Sequence, residues 1–460
     1  MIFNEFTFLF LFLPIVLLLF YAPFLKAYRQ LLLIVASLLF YGVAGIEHLV
    51  ILIFDIAWVY GVTRLRRFPG NPLLLTIAIV PPLLALGYYK YLGFIIRSLG
   101  FTPNSTSGAE MAGLDFMWDI ALPAGISFFT FQAVSYAIDC YKKQVEVRPS
   151  ASQFALYITF FPQLVAGPIV RYDQVSDALS QLRTFSPTQS NFFTGIVYMT
   201  GGLAMKVLIA DGLSRSLAPL VDAPDVLNSV NFAYLVFGYS FQIYFDFYGY
   251  SLIAIGLALL FGVRLPSNFM QPYSAMNPQD FWRRWHMSLS YWIRDYLYKP
   301  LGGNTQYIRN ILIIFAVCGL WHGAAWTFVI WGLYHAALVI LYKLGSGWWN
   351  SIPRLLQIAV TFILVSLGWL LFVFDFDALH QVLSQMATGF NGLGISQSPQ
   401  DWVLMAIAAA VCWGIKIETL AEIPPQNNLR SVGLALLCVI SLAGTLMFVG
   451  ISDSFIYFRF

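Results

Sequence analysis

Apolar runs recur along nearly the whole chain, near residues 6–25, 30–45, 48–63, 72–97, 117–139, 151–170, 191–213, 231–262, 311–342, 355–374, 401–416 and 429–451. Backbone buried in hydrocarbon must satisfy its own hydrogen bonds, which leaves helices or a closed barrel. Barrel strands alternate every second residue over about ten residues, and these runs are longer and continuous. The pattern predicts an all-α polytopic membrane protein of roughly ten to twelve spans. Without an internal repeat, low-complexity segment or linker, residues 1–460 read as a single membrane-embedded domain. Proline or glycine interrupts several runs, at Pro81-Pro82, at Pro123 with Gly125, and at Pro162 with Gly167-Pro168. Broken backbone at membrane depth is tolerated only where protein or a water-filled cavity surrounds it, so re-entrant segments are expected.

Charge and composition sharpen this picture. Of the 460 residues 59% are hydrophobic and 10% charged, against roughly 25% charged in a soluble domain. Mean hydropathy is +0.74, so the lipid bilayer is the surrounding partner. A net charge of +3 is too small to suggest a nucleic-acid partner. Met1-Ile2-Phe3-Asn4-Glu5 carries no positive n-region, so the first run reads as a retained span. Lys26 and Arg29 follow it, Glu47 and His48 occupy the next loop, and Arg64, Arg66 and Arg67 the third. That alternation places the first and third loops in the cytoplasm and the N-terminus outside. Cys140, Cys318, Cys412 and Cys438 stand far apart with no metal-ligand spacing and read as packing residues.

Residues 263–310 differ from the rest. They hold six basic residues (Arg264, Arg283, Arg284, Arg294, Lys299, Arg309) against Asp280 and Asp295, mixed with ten aromatics. Asn277 and Pro278 predict a helix start, and Lys299-Pro300 with Gly302-Gly303 its stop. Between them Phe281, Trp285, Leu289, Trp292 and Tyr296 make one apolar stripe, with Arg283, Met287, Ser290 and Arg294 opposite. Two readings stand: an interfacial helix anchored by its aromatics, or a basic cytoplasmic mouth for a phosphate-bearing cosubstrate, with Arg283, Arg284 and Arg294 as donor-binding candidates.

The run 311–342 holds no charge but two histidines, His322 and His335. As one helix it would span ~48 Å, well beyond a ~30 Å hydrocarbon core, so it must tilt or break. Gly319 and Gly323 around Trp321-His322 mark the break, beside freed backbone lining a polar cavity. His322 is then either a functional ionisable group or a neutral histidine bonded to a neighbouring helix. A continuous helix would hold the two imidazoles ~20 Å apart on nearly opposite faces, which excludes a metal pair. Gln242 and Asp246 lie four apart, on one face of an otherwise uncharged run; Asp246 could orient a histidine or bond a neighbouring tyrosine. His286 is placed at the interface. The chain has no HExxH, no G-x-x-x-x-G-K and no G-x-S-x-G. Histidine without a metal points to general base chemistry.

Trp321-His322-Gly323 with Tyr334-His335, the segment Asp280-Phe281-Trp282-Arg283-Arg284-Trp285-His286-Met287-Ser288-Leu289-Ser290, and Phe161-Pro162-Gln163-Leu164-Val165-Ala166-Gly167-Pro168-Ile169 resemble the membrane-bound O-acyltransferase family. The segments 122–132 and 8–14 resemble its bacterial branch, which includes alginate O-acetyltransferase and the D-alanine transfer protein of teichoic acids. The resemblance implies a funnel-like helical fold crossed by a tunnel. It implies His322 as catalytic base, with His286 and His335 in support and Trp321 beside them. The donor would be acetyl-CoA or an acylated carrier protein entering from the cytoplasm, with no tightly bound cofactor and no metal. The product would be an O-acetylated cell-surface polysaccharide such as alginate, finished by an extracytoplasmic acyltransferase partner, at a bacterial inner membrane. D-alanyl transfer to teichoic acid is the alternative within the family. One departure stands out: after Gly249-Tyr250-Ser251 the alginate-type pattern has an aspartate, and this chain has Leu252.

A thioester is already activated, so an imidazole that takes the acceptor's hydroxyl proton in a water-poor site would suffice. The rival class is a proton-coupled transporter, against which stands the lack of repeated, paired broken segments. The tail Ser454-Phe455-Ile456-Tyr457-Phe458-Arg459-Phe460 reads either as an interfacial anchor or as an acyl-carrying arm through Tyr457, since a tyrosyl ester has a leaving group of pKa ~10 and stays reactive.

Overall fold

The computed structural model describes residues 1–100, 121–165, 167–388, 397–422, 429–451 and 455–456. All regular structure among them is helical. Among the described residues eight helices are long and apolar enough to cross a membrane, and a shorter apolar helical stretch, Phe8–Tyr21, accompanies them. The protein is a multi-pass, all-α membrane protein. Contacts divide the chain into two compact units, one formed by Met1, Thr7–Ser186 and Phe261–Leu265, the other by Ile2–Phe6, Pro187–Leu260 and Pro266–Phe460.

The first unit contains α1 (Arg29–Gly42), α2 (Ile46–Thr63), α3 (Pro72–Leu86), α4 (Ile126–Tyr141) and α5 (Ala151–Thr159). Arg29, though only 2% exposed, is neutralised by carbonyl dipoles: its guanidinium donates to Phe20 O at 2.8 Å, Leu182 O at 3.1 Å and Phe185 O at 2.6 Å. Pro81-Pro82 does not interrupt its run; α3 continues through both prolines to Leu86, and helical backbone reaches Ser98. Gly125 takes φ +74°, and a Cβ there would lie 2.7 Å from the Leu164 carbonyl. The motifs at 122–132 and 161–169 therefore meet backbone to backbone, an approach that only glycine allows.

The second unit is built around α7 (Ser229–Leu260), whose most apolar 18-residue stretch is entirely buried. A helix apolar on all sides has no lipid or water face to present and becomes a core element. It packs on α6 (Gln189–Leu203). Glycines seven residues apart on each helix make the crossing: a Cβ on Gly202 would lie 2.5 Å from the Gly249 carbonyl, and one on Gly256 2.6 Å from the Gly195 carbonyl. Small residues let membrane helices approach closely and gain packing energy where no hydrophobic drive separates helix from lipid. α6 continues through Ala204–Ala210 in π geometry, and this brings Lys206 against Gly249. The remaining elements used below are α8 (Pro278–Arg284), α9 (Met287–Ile293), α10 (Tyr307–His322), α11 (Trp326–Trp349) and α12 (Arg354–Gly368).

Candidate active site

The single helix expected over 278–298 is two helices. The Asn277 side chain accepts from Asp280 N–H at 2.7 Å and caps α8, with Pro278 in the first turn. The helix ends at Arg284, because His286 adopts φ +42°, ψ +55° in the left-handed region, which costs a non-glycine residue of order 1 kcal/mol. Neighbouring backbone holds it there: Met287 N–H donates to Asn268 O at 2.9 Å and Met270 N–H to Arg284 O at 3.0 Å. Asn268 also accepts from Ser288 Oγ at 2.6 Å and donates to Ser251 Oγ at 3.1 Å. The bend turns His286 inward. It is 1% exposed, enclosed by its neighbours, and burial pushes its pKa down to about 3. The ring is therefore neutral at physiological pH, with one N–H and one lone pair to offer.

The run 311–342 breaks where its glycines predict. α10 ends at His322, Gly323 is extended, and α11 starts at Trp326. The two helices pack on each other as a hairpin in which a Cβ on Gly319 would strike the Phe328 carbonyl and one on Gly332 the Phe315 carbonyl. The hairpin undoes the separation that a continuous helix would impose. His322 and His335 now flank one indole, Trp331, at ring-centroid distances of 5.1 Å and 4.9 Å. His286 and His322 are 6.1 Å apart, with Trp321 beside both at 5.6 Å and 4.9 Å. Phe372 also packs on His322, and Trp282 on His335 at 5.0 Å. His335 fits because residue 368 is glycine: a Cβ there would sit 2.9 Å from the His335 Nε2. Both His335 ring nitrogens and the indole N–H groups of Trp282, Trp285 and Trp331 have no hydrogen-bond partner among the described residues. A polar reactant would meet these groups in an otherwise apolar chamber.

Beside the chamber lies a cavity of about 350 Å³, with Arg283, Arg294, Gln279 and Asn304 among its lining and Ile311, Phe315 and Cys318 along α10. Trp282 belongs to both, since it lines the cavity and packs on His335 and Trp331. Arg294 is bonded to Asp295 at 2.9 Å and Lys299 to the same carboxylate at 2.7 Å. Burial pushes the Asp295 carboxyl up, but these two cations outweigh it and hold it well below the usual carboxylate range. Arg284 does not reach the cavity lining and pairs with Asp280 at 2.9 Å.

Asp246 neither orients a histidine nor bonds a tyrosine. Its Oδ1 lies 2.6 Å from Lys206 Nζ, which is also 2.5 Å from Asp211, and its Oδ2 accepts from Ile456 N–H at 2.7 Å. All three charged groups are nearly inaccessible. Gln242, one turn earlier, is half-buried. The sequence reading missed Lys206, although a lone lysine in the run 191–213 was a signal for a buried counter-charge to Asp246. It also missed Trp331, four residues before His335, and Gly368. Tyr457 lies outside the described residues. Among the described residues no group of three or more His, Cys, Asp or Glu side chains could hold a metal ion.

With this arrangement in hand, comparison with known proteins is decisive. The pattern of the MBOAT, membrane-bound O-acyltransferase, family matches residues 114–353, which include Asp246 and the three clustered histidines. The chain belongs to the membrane-bound O-acyltransferase family. A probable alginate O-acetylase AlgI of Pseudomonas syringae pv. tomato is 35% identical over 438 residues, covering 91% of this chain and 80% of the relative. A peptidoglycan O-acetyltransferase of Helicobacter pylori is 32% identical over 438 residues, covering 86% and 81%. A teichoic acid D-alanyltransferase of Bacillus subtilis is 31% identical over 270 residues, covering 54% and 68%. The protein is thus a membrane-bound acyltransferase, and the transporter reading falls.

Proposed function

We propose that this acyltransferase moves an acetyl group from a cytoplasmic thioester, acetyl-CoA or an acylated carrier protein, across the membrane for O-acetylation of a cell-surface polysaccharide such as alginate. The observation that carries the reading is the meeting of three buried histidines in one aromatic chamber, walled by Trp282 from a cavity that carries Arg283 and Arg294. Guanidinium groups match phosphate oxygens, so the donor's phosphates would lie at those arginines and its acyl arm along the apolar wall toward the histidines.

In this reading His322 is the base. It takes the acceptor's hydroxyl proton as the oxygen attacks the thioester carbonyl; the new C–O bond forms, the C–S bond breaks, and the proton passes to the departing thiolate. Trp321, Trp331 and Phe372 keep bulk water from the imidazole, which limits hydrolysis. His286 and His335 supply hydrogen-bonding groups around it. The N-terminus outside, a bacterial inner membrane, an extracytoplasmic acyltransferase partner and Tyr457 as the acyl-carrying residue complete the proposal. Three O-acylating relatives with different acceptors support the general chemistry.

The test gives the purified protein labelled acetyl-CoA, acetylated carrier protein and D-alanylated carrier protein in parallel. Loss of acetyl label that depends on His322 supports the proposal. Loss of D-alanyl label alone would replace acetyl by aminoacyl cargo, and no thioester cleavage with any donor would refute the reading.

A further inference from the structure

Outside the histidine chamber, the second unit buries a charged cluster that the reaction leaves unused, Lys206, Asp211 and Asp246. One positive and two negative groups are buried together, Lys206 and Asp211 on the helical continuation of α6 and Asp246 on α7. Lys206 needs only one carboxylate for neutrality, and Asp246 spends its second oxygen on the backbone N–H of Ile456, 210 residues further along. A charged acceptor makes this a stronger bond than a neutral one. The segment it holds is well packed: Phe455 is 1% exposed, stacks on Tyr250 with ring centroids 4.6 Å apart, and lies 5.6 Å from Phe247. Phe3 stacks on the same Tyr250 ring at 4.7 Å. Phe247 is itself in edge contact with His286 at 4.6 Å. The chain of contacts from the ion cluster to the histidines is therefore short: Asp246, Ile456 and Phe455, Phe247, His286.

We propose that Asp246, charge-balanced by Lys206, is a positioning residue for acyl transfer, a latch that seats the segment Phe455–Ile456 against Phe247 one ring away from His286. The latch would make that segment a fixed wall of the chamber. The inference rests on the acyl-transfer reading above, but the bond itself can be measured without any substrate.

Three full-length variants carry the test. Asp246→Leu removes the acceptor and leaves Lys206 with Asp211, so no charge is stranded. Ile456→Pro removes the donor and leaves the ion cluster whole. Ile456→Val keeps the donor and serves as the conservative control. Hydrogen exchange read by mass spectrometry should show the backbone at 455–456 exchanging at least tenfold faster in Asp246→Leu than in wild type. Acyl-transfer kcat should fall about tenfold in Asp246→Leu and Ile456→Pro, with KM for the thioester within twofold, since neither residue lines the donor cavity; Ile456→Val should match wild type. Unchanged exchange in an inserted Asp246→Leu protein overturns the latch, and wild-type kcat in Ile456→Pro overturns its role in transfer. If Asp246→Leu fails to insert, the contrast between Ile456→Pro and Ile456→Val decides alone. A wild type that turns over no thioester sinks the acyl-transfer reading and the positioning role with it, while the exchange result still stands for the bond.

Discussion

Two glycines on the same helix should respond to alanine in opposite directions. Gly332 of α11 faces α10 so closely that an added Cβ would overlap the Phe315 carbonyl, whereas a Cβ at Gly345 would meet nothing within 4 Å. Restoring an ordinary carbon–oxygen contact of ~3.3 Å at Gly332 means parting two backbones by on the order of 1 Å, because neither neighbour is a flexible side chain. Overpacking of this kind costs about 1–3 kcal/mol, offset by up to ~1 kcal/mol from the better helix propensity of alanine. At Gly345 only the favourable term remains. Gly332→Ala should therefore lose about 1–2 kcal/mol and Gly345→Ala gain about 0.5–1 kcal/mol, read as opposite shifts of thermal midpoint in one detergent. The same parting moves His322 relative to Trp331 and His335, and a displacement of ~1 Å at a catalytic group can cost about a hundredfold in rate. Turnover should drop by tenfold to a hundredfold in Gly332→Ala and stay at wild type in Gly345→Ala. Equal stability and equal turnover in the two variants would refute the claim that the hairpin crossing sets the geometry of the site.

His322→Ala should lower thioester turnover by about a hundredfold or more with insertion intact, and His335→Ala by less; near-normal turnover in an inserted His322→Ala protein ends the assignment. Burial depresses the folded pKa of His286 to about 3 against ~6.5 unfolded, so protons bind the unfolded chain first. Stability should be full above pH ~6.5 and fall as pH drops toward 3, by roughly 1 kcal/mol per pH unit; His286→Asn should flatten that slope, and an unchanged slope would contradict it. Tyr457→Phe keeps the aromatic ring and removes only the hydroxyl that would take the acyl group, so it should abolish polymer acylation and slow thioester cleavage with it, and undiminished polymer acylation would reduce Tyr457 to an anchor. A cysteine at residue 47 should react with an impermeant thiol reagent from outside and one at residue 66 should not; reversed labelling overturns the orientation.

The sequence revealed much of the fold through its apolar runs, because length and continuity alone decide that a segment lies in lipid as a helix. The break at Gly323 was equally legible: too many apolar residues for one crossing, with glycines beside a histidine. What the break accomplishes was not, since the return of α11 onto α10 depends on backbone contacts at Gly319 and Gly332 between residues that periodicity places far apart. The stripe Phe281, Trp285, Leu289 correctly marked buried positions but suggested a continuous helix. Backbone bonds from 268–270 compete successfully with the helix at His286, and a left-handed histidine carries no sequence signature. Asp246 was recognised as needing a partner, yet its partners Lys206 and Ile456 stand 40 residues before it and 210 after it, beyond any local pattern.

The glycine-lined crossing of α6 and α7 also bears on how the protein is made. An aspartate near the middle of a span opposes insertion by about 2.5–3.5 kcal/mol, and α7 carries Asp246 with no other charge along its length. Its counter-ion Lys206 belongs to the preceding segment and is therefore synthesised first. The pair can form as α7 leaves the ribosome, provided that Gly195, Gly202, Gly249 and Gly256 let the two helices touch. Larger residues at these four positions would leave Asp246 without its counter-ion during synthesis, while Lys206 keeps Asp211 on its own segment. Their effect would be felt as chains that never accumulate in the membrane, before any question of catalysis arises.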